Sequence, residues 1–376
     1  MNWKIPLFKI YYDDEDIESI TDVVKRGYSW ANGKEIREFE EEIARYIGVK
    51  YCTVTSSGTS ALQAALLAHN IGPEDEVIVP SFTFVATVNA PLFVGARPIF
   101  ADIEDKTFGL NPLDVEKKIT SRTKAILCVH YGGCPCFVKE LKEIAEKYNV
   151  LLIEDAAEAL GAKIGSEYVG TFGDSAVLSF CQNKIITTGE GGAVITDSEE
   201  VYERLKLIRS HGRMETGDYF TSGEHPDYVS LGYNLRMSTI TAALGLSQIR
   251  KIDEIIRMRR EKALHFTENL SAIRGIDVVT PPPDYFHVYQ MYTVMTDSKV
   301  RDHFMQHLMG KGIMTKVYFD PVHLTSFYRD TLQYREDLPV TERVSRQVVS
   351  LPLYPALQEE DITYMIDGIK DFMVRT

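Results

Sequence analysis

The chain has 376 residues, a net charge of −13 and 25% charged residues. A chain of this length is usually too long for a single hydrophobic core. We therefore expect a large domain at residues 1–250 and a small one at 251–376. The acidic balance argues against nucleic acid or an anionic membrane as a partner, because both attract clustered Lys and Arg. An N-terminus without an apolar signal segment, no long apolar run, and an odd number of cysteines predict a cytoplasmic protein.

Residues 1–250 alternate short apolar runs with helical patterns, which is typical of an α/β fold. The strand candidates are apolar throughout, which indicates strands buried on both faces of a mostly parallel sheet flanked by helices. We expect strands at residues 76–79, 98–101, 125–129, 150–154, 175–180 and 193–196. Helical spacing of apolar residues predicts helices at 35–48, 60–69 and 137–148.

The remaining residues have a weaker pattern, which predicts a small C-terminal α+β domain. One long helical pattern covers residues 238–260, and we place the domain boundary in or near it. Further helices are expected at 261–270, 300–311 and 359–372. Strands are expected at 275–279, 289–296 and 314–318.

One lysine has an unusual sequence context. Lys184 lies in the stretch SFCQNKIITTGEGG (179–192), five residues after Ser179 and just before a glycine-rich turn. Glycines beside a lysine suggest that the backbone approaches a ligand closely. The alternative is an ordinary solvent-exposed lysine, since most lysines are exposed.

Asp155 directly follows the apolar run at residues 150–154. The carboxyl end of a buried parallel strand is where ligands bind in open α/β sheets, although an aspartate here could also cap a helix. A lysine, an aspartate and nearby hydroxyl groups are what pyridoxal phosphate (PLP) requires. The lysine forms a Schiff base and the aspartate pairs with the pyridine nitrogen. Glu158 lies one turn further on. Its carboxylate has three alternatives: a contact with the ring hydroxyl of the cofactor, a contact with a sugar substrate, or exposure to water.

A phosphate group has a candidate site at residues 56–60, SSGTS, where a helix is predicted to begin. Free N–H groups and the helix dipole at such a position attract anions, and Thr59 adds a hydroxyl. Ser179 offers a second hydroxyl. Runs of Ser and Thr also cap helices without any ligand. Phe84, after the strand at 76–79, is a candidate for stacking on a flat ring, with core packing as the alternative.

Four other features bear on binding. Cys134 and Cys136 are spaced too closely for a usual zinc or redox motif, so we predict no metal. His323 is a candidate substrate ligand, although a lone histidine is more often structural. Asn234 lies in a polar segment at 231–237 that would otherwise be a simple loop. The loop at 211–226 is predicted to form part of the substrate pocket.

Several motifs, taken in order, resemble those of the DegT/StrS family of sugar aminotransferases, which have the aspartate aminotransferase fold (fold type I). The resemblance runs through SSGTSAL (56–62), PSFTFVAT (80–87), IEDAAEALGA (153–162), SFCQNKIITTGEGGAV (179–194), LGYNLRM (231–237), YFDPVH (318–323) and LPLYPAL (351–357).

This resemblance implies that Lys184 links covalently to PLP and moves protons, and that Asp155 pairs with the pyridine nitrogen. It places Glu158 near the ring oxygen, and Asn234 at the phosphate of the neighbouring subunit, so that a homodimer shares its active sites. The residues that it assigns to the cofactor are Gly58, Thr59, Phe84, Asp155, Glu158, Ser179, Lys184 and Asn234.

The resemblance also suggests the substrates. A branch of the family with histidine in place of the lysine dehydrates sugars, whereas this chain keeps Lys184. The TTGEGG segment (187–192) is similar to members that aminate carbon 4 of a nucleotide-linked 4-keto-6-deoxyhexose, a perosamine-type reaction. The expected amino donor is glutamate. The alternatives are a carbon-3 keto-sugar, a keto-cyclitol (inosose), or a regulatory member without catalysis.

Overall fold

The computed structural model describes residues 3–214 and 225–375. The strands in these ranges are β1 (Tyr51–Thr55), β2 (Glu76–Pro80), β3 (Arg97–Ala101), β4 (Thr123–Val129), β5 (Leu151–Asp155), β6 (Lys163–Ile164), β7 (Glu167–Tyr168), β8 (Ser175–Ser179), β9 (Gly192–Thr196), β10 (Asp277–Val278), β11 (Tyr285–Phe286), β12 (Tyr292–Met295) and β13 (Val348–Leu351). The helices are α1 (Asp14–Arg26), α2 (Lys34–Ile47), α3 (Gly58–Ala68), α4 (Val85–Phe93), α5 (Pro112–Lys118), α6 (Val138–Tyr148), α7 (Glu199–Arg209), α8 (Thr239–Arg250), α9 (Ile252–Leu270), α10 (Arg301–Gly310), α11 (Pro339–Ser345) and α12 (Glu359–Arg375).

The central sheet has the strand order β1-β9-β8-β5-β4-β2-β3. Strands β8, β5, β4, β2 and β3 run parallel to one another, and β9 pairs antiparallel with both β1 and β8. The predicted α/β fold with a mostly parallel sheet is confirmed, and it is the fold of type I PLP-dependent enzymes. Two small antiparallel sheets accompany it, with the orders β10-β12-β13 and β11-β6-β7.

Helices cover both faces of the central sheet. In β2, Val77 and Val79 pack with α3 and α4, whereas Ile78 between them packs with α5 and α6 on the opposite face. This alternation follows from the two-residue repeat of a strand, and apolar cover on both faces explains the continuous apolar runs. At the other end of the sheet, β1, β8 and β9 pack against α2, α8 and α9.

The C-terminal residues form their own apolar cluster, in which β12 and β13 pack against α9, α10 and α12. The division of the chain at residue 250 stays a prediction, and β11 pairs with β6 from the N-terminal part. In the described residues, no helix is long and apolar enough to cross a membrane.

The structure corrects two expected elements. The pattern at 238–260 is not one helix, because α8 ends at Arg250 and α9 begins at Ile252. The ammonium of Lys251, at the break, forms an ion pair with Asp16 of α1 at 3.1 Å. The strand expected at 314–318 was also wrong: this segment makes only an isolated bridge between Lys316 and Ser350. Strands β1, β6, β7, β11 and β13 were not predicted.

Candidate active site

The carboxyl ends of four parallel strands bring the predicted residues to one edge of the sheet. Phe84 follows β2, Gly132 follows β4, Asp155 is the last residue of β5, and Ser179 is the last residue of β8. Since β2, β4, β5 and β8 are neighbours in the sheet order, these four positions lie side by side. This edge is where an open α/β sheet binds its ligand.

Asp155 is buried at this edge, with 5% of its surface exposed. Its Oδ2 accepts a hydrogen bond from Thr87 Oγ1 at 2.8 Å, and its Oδ1 accepts one from the Ala157 N–H at 3.1 Å. Burial raises the pKa of Asp155, and the hydrogen bonds and the Lys184 charge only partly oppose this. A turn follows Asp155 instead of the helix that it might have capped. A cationic group bound beside Asp155 would favour the ionised carboxylate and oppose the effect of burial.

Lys184 is not a solvent-exposed lysine, because only 14% of its side chain is exposed. Its Nζ lies 3.2 Å from Glu158 Oε1, and Glu158 Oε2 accepts a hydrogen bond from the Gly132 N–H at 2.9 Å. Glu158 therefore does not face water, and it fixes the direction in which the ammonium group points. The Lys184 charge also acts electrostatically on Asp155.

The predicted phosphate cradle is the first turn of α3. Ser57 caps the helix, since its Oγ accepts a hydrogen bond from the Ser60 N–H at 3.1 Å. Gly58 lies so close to Ser179 that a Cβ at position 58 would be 3.0 Å from the Ser179 Cβ. Because residue 58 has no side chain, the Ser179 hydroxyl lies close to the N-terminus of α3. Together they can bind an anion.

The strand that carries Asp155 is anchored by a buried polar network. Glu154 Oε1 accepts hydrogen bonds from the N–H groups of Phe172 and Gly173, at 2.8 and 2.7 Å. Glu154 Oε2 accepts one from Gly170 N–H at 2.7 Å and lies 3.0 Å from His130 Nε2. Because Glu154 is fully buried, these contacts fix the direction of β5 immediately before Asp155.

Beside this network, donor atoms of Cys128, His130 and Cys136 lie within 4.8 Å of one another. The His130 nitrogens already contact the Cys136 N–H and Glu154, at 3.1 and 3.0 Å. Because both nitrogens are engaged, a metal ion bound to His130 would have to displace one of these contacts. Cys136 thus lies beside Cys128, whereas the sequence analysis considered only its pairing with Cys134 and predicted no metal.

The two phenylalanines of the PSFTFVAT motif differ in environment. Phe82 is fully buried and its ring centroid lies 5.0 Å from that of Tyr131, so Phe82 belongs to the core. Phe84 is 58% exposed, and its ring centroid is 6.2 Å from that of Phe319. An exposed aromatic face at the ligand edge agrees with the predicted stacking role, which stays a prediction.

Asn234 is exposed and forms an isolated backbone bridge with Ser210. Its neighbour Leu235 accepts a hydrogen bond from the Ser56 N–H at 2.8 Å, which ties this segment to the phosphate cradle. Its contact with a second subunit stays a prediction. Of the loop predicted to line the substrate pocket, residues 215–224 lie outside the described residues.

His323 is 2% exposed, and its Nδ1 lies 2.7 Å from the Ser81 hydroxyl. Ser81 Oγ also accepts a hydrogen bond from the His323 N–H at 3.0 Å. Burial lowers the pKa of His323, which favours the neutral imidazole. These contacts are those of a structural histidine, the alternative considered above, and its role as a substrate ligand stays a prediction.

Two residues of the site were missed by sequence reasoning. Thr87 lies one helical turn after Thr83, and their hydroxyl oxygens are 2.9 Å apart. Two threonines at this spacing in the PSFTFVAT motif were the available signal. Gly132, the N–H donor to Glu158, lies in a YGG turn with a positive φ of 63°, and the pair of glycines was its only signal.

Comparison with known proteins identifies the family. A model of the DegT/DnrJ/EryC1/StrS aminotransferase family matches residues 11–370. The chain belongs to this family. It is 37% identical to GDP-perosamine synthase of Escherichia coli O157:H7, over 98% of each chain. It is 32% identical to UDP-4-amino-4-deoxy-L-arabinose–oxoglutarate aminotransferase of Shewanella sediminis, over 98% of each chain. The solved structure of DesV from S. venezuelae superposes with a TM-score of 0.92 at 32% identity, covering 99% of both chains.

The chain is therefore a PLP-dependent sugar aminotransferase, as the motifs predicted. The residues present fit this cofactor. They provide an amine at Lys184, a buried carboxylate at Asp155, and a helix N-terminus where Gly58 leaves room beside Ser179. The individual roles of these residues toward PLP stay predictions.

Proposed function

We propose that this enzyme transfers the amino group of glutamate to carbon 4 of a nucleotide-linked 4-keto-6-deoxyhexose. The observation that carries the chemical part is the ion pair of Lys184 Nζ with Glu158 Oε1, 3.2 Å long, at the same sheet edge as the buried Asp155. Lys184 provides an amine that is shielded from water and can transfer protons. The buried carboxylate of Asp155 can keep the pyridine ring of the cofactor cationic.

Each side chain has a defined part in this reaction. When bound, PLP supplies an aldehyde that joins to amines and a ring that accepts electrons. Lys184 Nζ takes a proton from the amino-bearing carbon of the substrate and later returns one. Glu158 holds that amine in place, and Asp155 supplies the negative charge that keeps the heterocycle protonated. The N-terminus of α3 and Ser179 bind the phosphate.

The position of amination is supported by the relatives and by the motif. The relative from Shewanella sediminis is named for a 4-amino sugar and for oxoglutarate, the keto acid that glutamate leaves after donating its amine. The TTGEGG segment at residues 187–192 is similar to that of carbon-4 members. The two relatives named above carry different nucleotides, GDP and UDP, so the proposal leaves the base unassigned.

We further propose that two copies of the chain form a homodimer with shared sites, in which Asn234 reaches the phosphate of the neighbouring subunit. Apolar side chains are exposed on α1 and beside it, and such a surface is typical of a protein interface. These residues are Ile10, Tyr12, Ile17, Val24, Tyr28 and Trp30.

The experiment is a substrate panel with glutamate as donor and mass spectrometry as readout. The panel contains GDP-, UDP- and dTDP-linked 4-keto-6-deoxyhexoses, a nucleotide-linked 3-keto sugar and a keto-cyclitol. We expect an amine at carbon 4, located by NMR of the product, and no product from Lys184→Ala. Amination of only the 3-keto sugar or the cyclitol would refute the carbon-4 assignment. A wild-type protein that absorbs as bound PLP but aminates none of these compounds would refute the proposed substrate.

A further inference from the structure

The segment between β11 and β12 lies against the glycine turn that follows β4. The Val288 N–H donates to the Gly133 carbonyl at 3.0 Å, and the Met291 N–H donates to the Gly132 carbonyl at 3.1 Å. This segment joins a strand paired with β6 to a strand of the C-terminal sheet. It therefore connects the C-terminal sheet with the turn after β4, which lies at the candidate active site.

Gln290 extends from this segment to the lysine loop. Its side-chain Nε2 donates a hydrogen bond to the carbonyl of Asn183, the residue directly before Lys184. Gln290 is 5% exposed, and within the described residues its Oε1 has no hydrogen-bond partner. A buried amide oxygen without a partner costs stability, so an aliphatic side chain would serve packing better. A local cost of this kind is expected where a residue serves function.

Lys184 is consequently held at both ends by the same region. At the side-chain end, Nζ contacts Glu158, which accepts a hydrogen bond from Gly132, whose carbonyl binds the Met291 N–H. At the backbone end, the peptide carbonyl before Lys184 binds Gln290. These contacts close a ring that leads from the amine of Lys184 back to its own main chain.

A second side chain supports the same loop. The Asn183 side chain interacts with the Tyr318 hydroxyl and partly opposes the rise in the pKa of Tyr318 that burial causes. The Tyr318 carbonyl in turn accepts a hydrogen bond from the Tyr131 hydroxyl, in the turn after β4. Asn183, Gln290 and Tyr318 line one small cavity beside the lysine loop.

We propose that Gln290 is a positioning residue, which acts through the Asn183 peptide to hold Lys184 where it joins the cofactor. This inference rests on the proposed role of Lys184 as the linking amine. It predicts that loss of the Gln290 amide weakens the covalent attachment of PLP. Binding that does not involve the lysine should be unaffected.

The test compares PLP with pyridoxamine phosphate, which has no aldehyde and cannot join to a lysine. Dissociation constants of both are measured for cofactor-free wild type and for Gln290→Met, a variant of similar volume without the donor. We expect PLP affinity to fall about three- to tenfold, the effect of one lost hydrogen bond, with pyridoxamine phosphate unchanged. The rate constant for release of PLP should rise by the same factor.

Gln248→Met is the matched control. Gln248 is 2% exposed, and its Nε2 also donates to a backbone carbonyl, that of Tyr11, at 3.1 Å. Gln248 lines a cavity with Asn183 and Lys184, but its Nε2 donates to Tyr11 and, at 2.8 Å, to the Asp16 carboxylate rather than to the lysine loop. Loss of this amide should therefore affect both cofactor forms equally. Tyr318→Phe removes only a hydroxyl and keeps the packing. It should reproduce the selective loss of PLP affinity to a smaller extent, including in the case that Gln290→Met does not fold.

Two results would overturn the inference. One is an equal loss of affinity for both cofactor forms in Gln290→Met. The other is unchanged PLP affinity in a folded Gln290→Met or, where that variant does not fold, in Tyr318→Phe. The proposed function is tested separately, by borohydride reduction of wild type with PLP and peptide mapping. If the label is at Lys184, either result counts against Gln290 alone, whereas a label elsewhere refutes the role of Lys184 itself.

Discussion

Asp155 shows how one residue can favour catalysis at the expense of stability. In the cofactor-free protein its carboxyl group is buried beside two hydrogen-bond donors, and burial raises its pKa. The folded state therefore binds a proton here more tightly than the unfolded state does. As pH rises from the ordinary aspartate pKa of 3.8 through the raised value, the folded protein loses stability, and above it the full cost is present.

We predict that Asp155→Asn stabilises the cofactor-free protein at neutral pH while impairing catalysis. Each unit by which the pKa is raised corresponds to about 1.4 kcal/mol, which a neutral amide recovers. Activity should fall ~10²-fold or more, since a neutral partner no longer keeps the heterocycle protonated. Thermal unfolding of both cofactor-free proteins at pH 3.5 and pH 7.5 checks the stability part, and the difference should appear only at the higher pH. Equal melting temperatures at pH 7.5 would contradict it.

At the scale of elements, the contact of β9 with the N-terminus of α3 shapes the phosphate cradle. A Cβ at Gly192 would lie 2.5 Å from the carbonyl carbon and oxygen of Ser57 and 2.6 Å from the Gly58 nitrogen. These are backbone atoms, which cannot move aside as the end of a side chain can. Gly192 also pairs with Ser179 in the sheet, so a shift there would reach both sides of the cradle.

We therefore expect Gly192→Ala to destabilise the protein by about 1–3 kcal/mol, the usual cost of overpacking, and to weaken PLP binding. Gly310→Ala is the control, because a Cβ there meets nothing within 4 Å. It lies at the end of α10 and should remain within about 1 kcal/mol of wild type. Denaturant unfolding and a PLP titration measure both effects. If the two variants behaved alike, the cradle would not depend on this close approach.

The sequence predicted buried elements better than contacts between distant segments. Six expected strands begin and end within two residues of β2, β3, β4, β5, β8 and β9, because their apolar runs reflect burial on both faces. The break between α8 and α9 carries no proline or glycine. It coincides with the ion pair between Lys251 and Asp16, about 235 positions apart, which no local pattern indicates.

The same distinction holds in the candidate site. Lys184 was recognisable by the glycine-rich turn that follows it, and Asp155 by its position at the end of a buried apolar strand, where ligands usually bind. Gln290 was not, since its relevant partner is the Asn183 carbonyl, and a glutamine in an apolar segment predicts no particular acceptor. Residue type and spacing identify the side chains that carry out the chemistry. The hydrogen-bond network that orients those side chains depends on the tertiary structure.

At the scale of the whole molecule, the proposed shared sites can be tested by mixing two inactive variants. Lys184→Ala removes the linking amine, and Asn234→Asp places a negative charge where a phosphate is proposed to bind. If Asn234 serves the neighbouring subunit, a mixed dimer contains one site with both Lys184 and Asn234 intact. Random reassociation then restores about a quarter of wild-type activity, because half of the dimers are mixed and each has one working site.

The measurement is activity after the two purified variants are unfolded and refolded together with PLP, compared with each variant refolded alone. Replacing Asn234→Asp by the double variant Lys184→Ala/Asn234→Asp is the matched control, and it should restore nothing, since no subunit then carries the lysine. Asn234 is exposed in one chain, so its substitution should leave the folding of each subunit intact. Activity that stays at the level of the separate variants, in mixtures shown by mass to contain mixed dimers, would mean that Asn234 serves the site of its own chain.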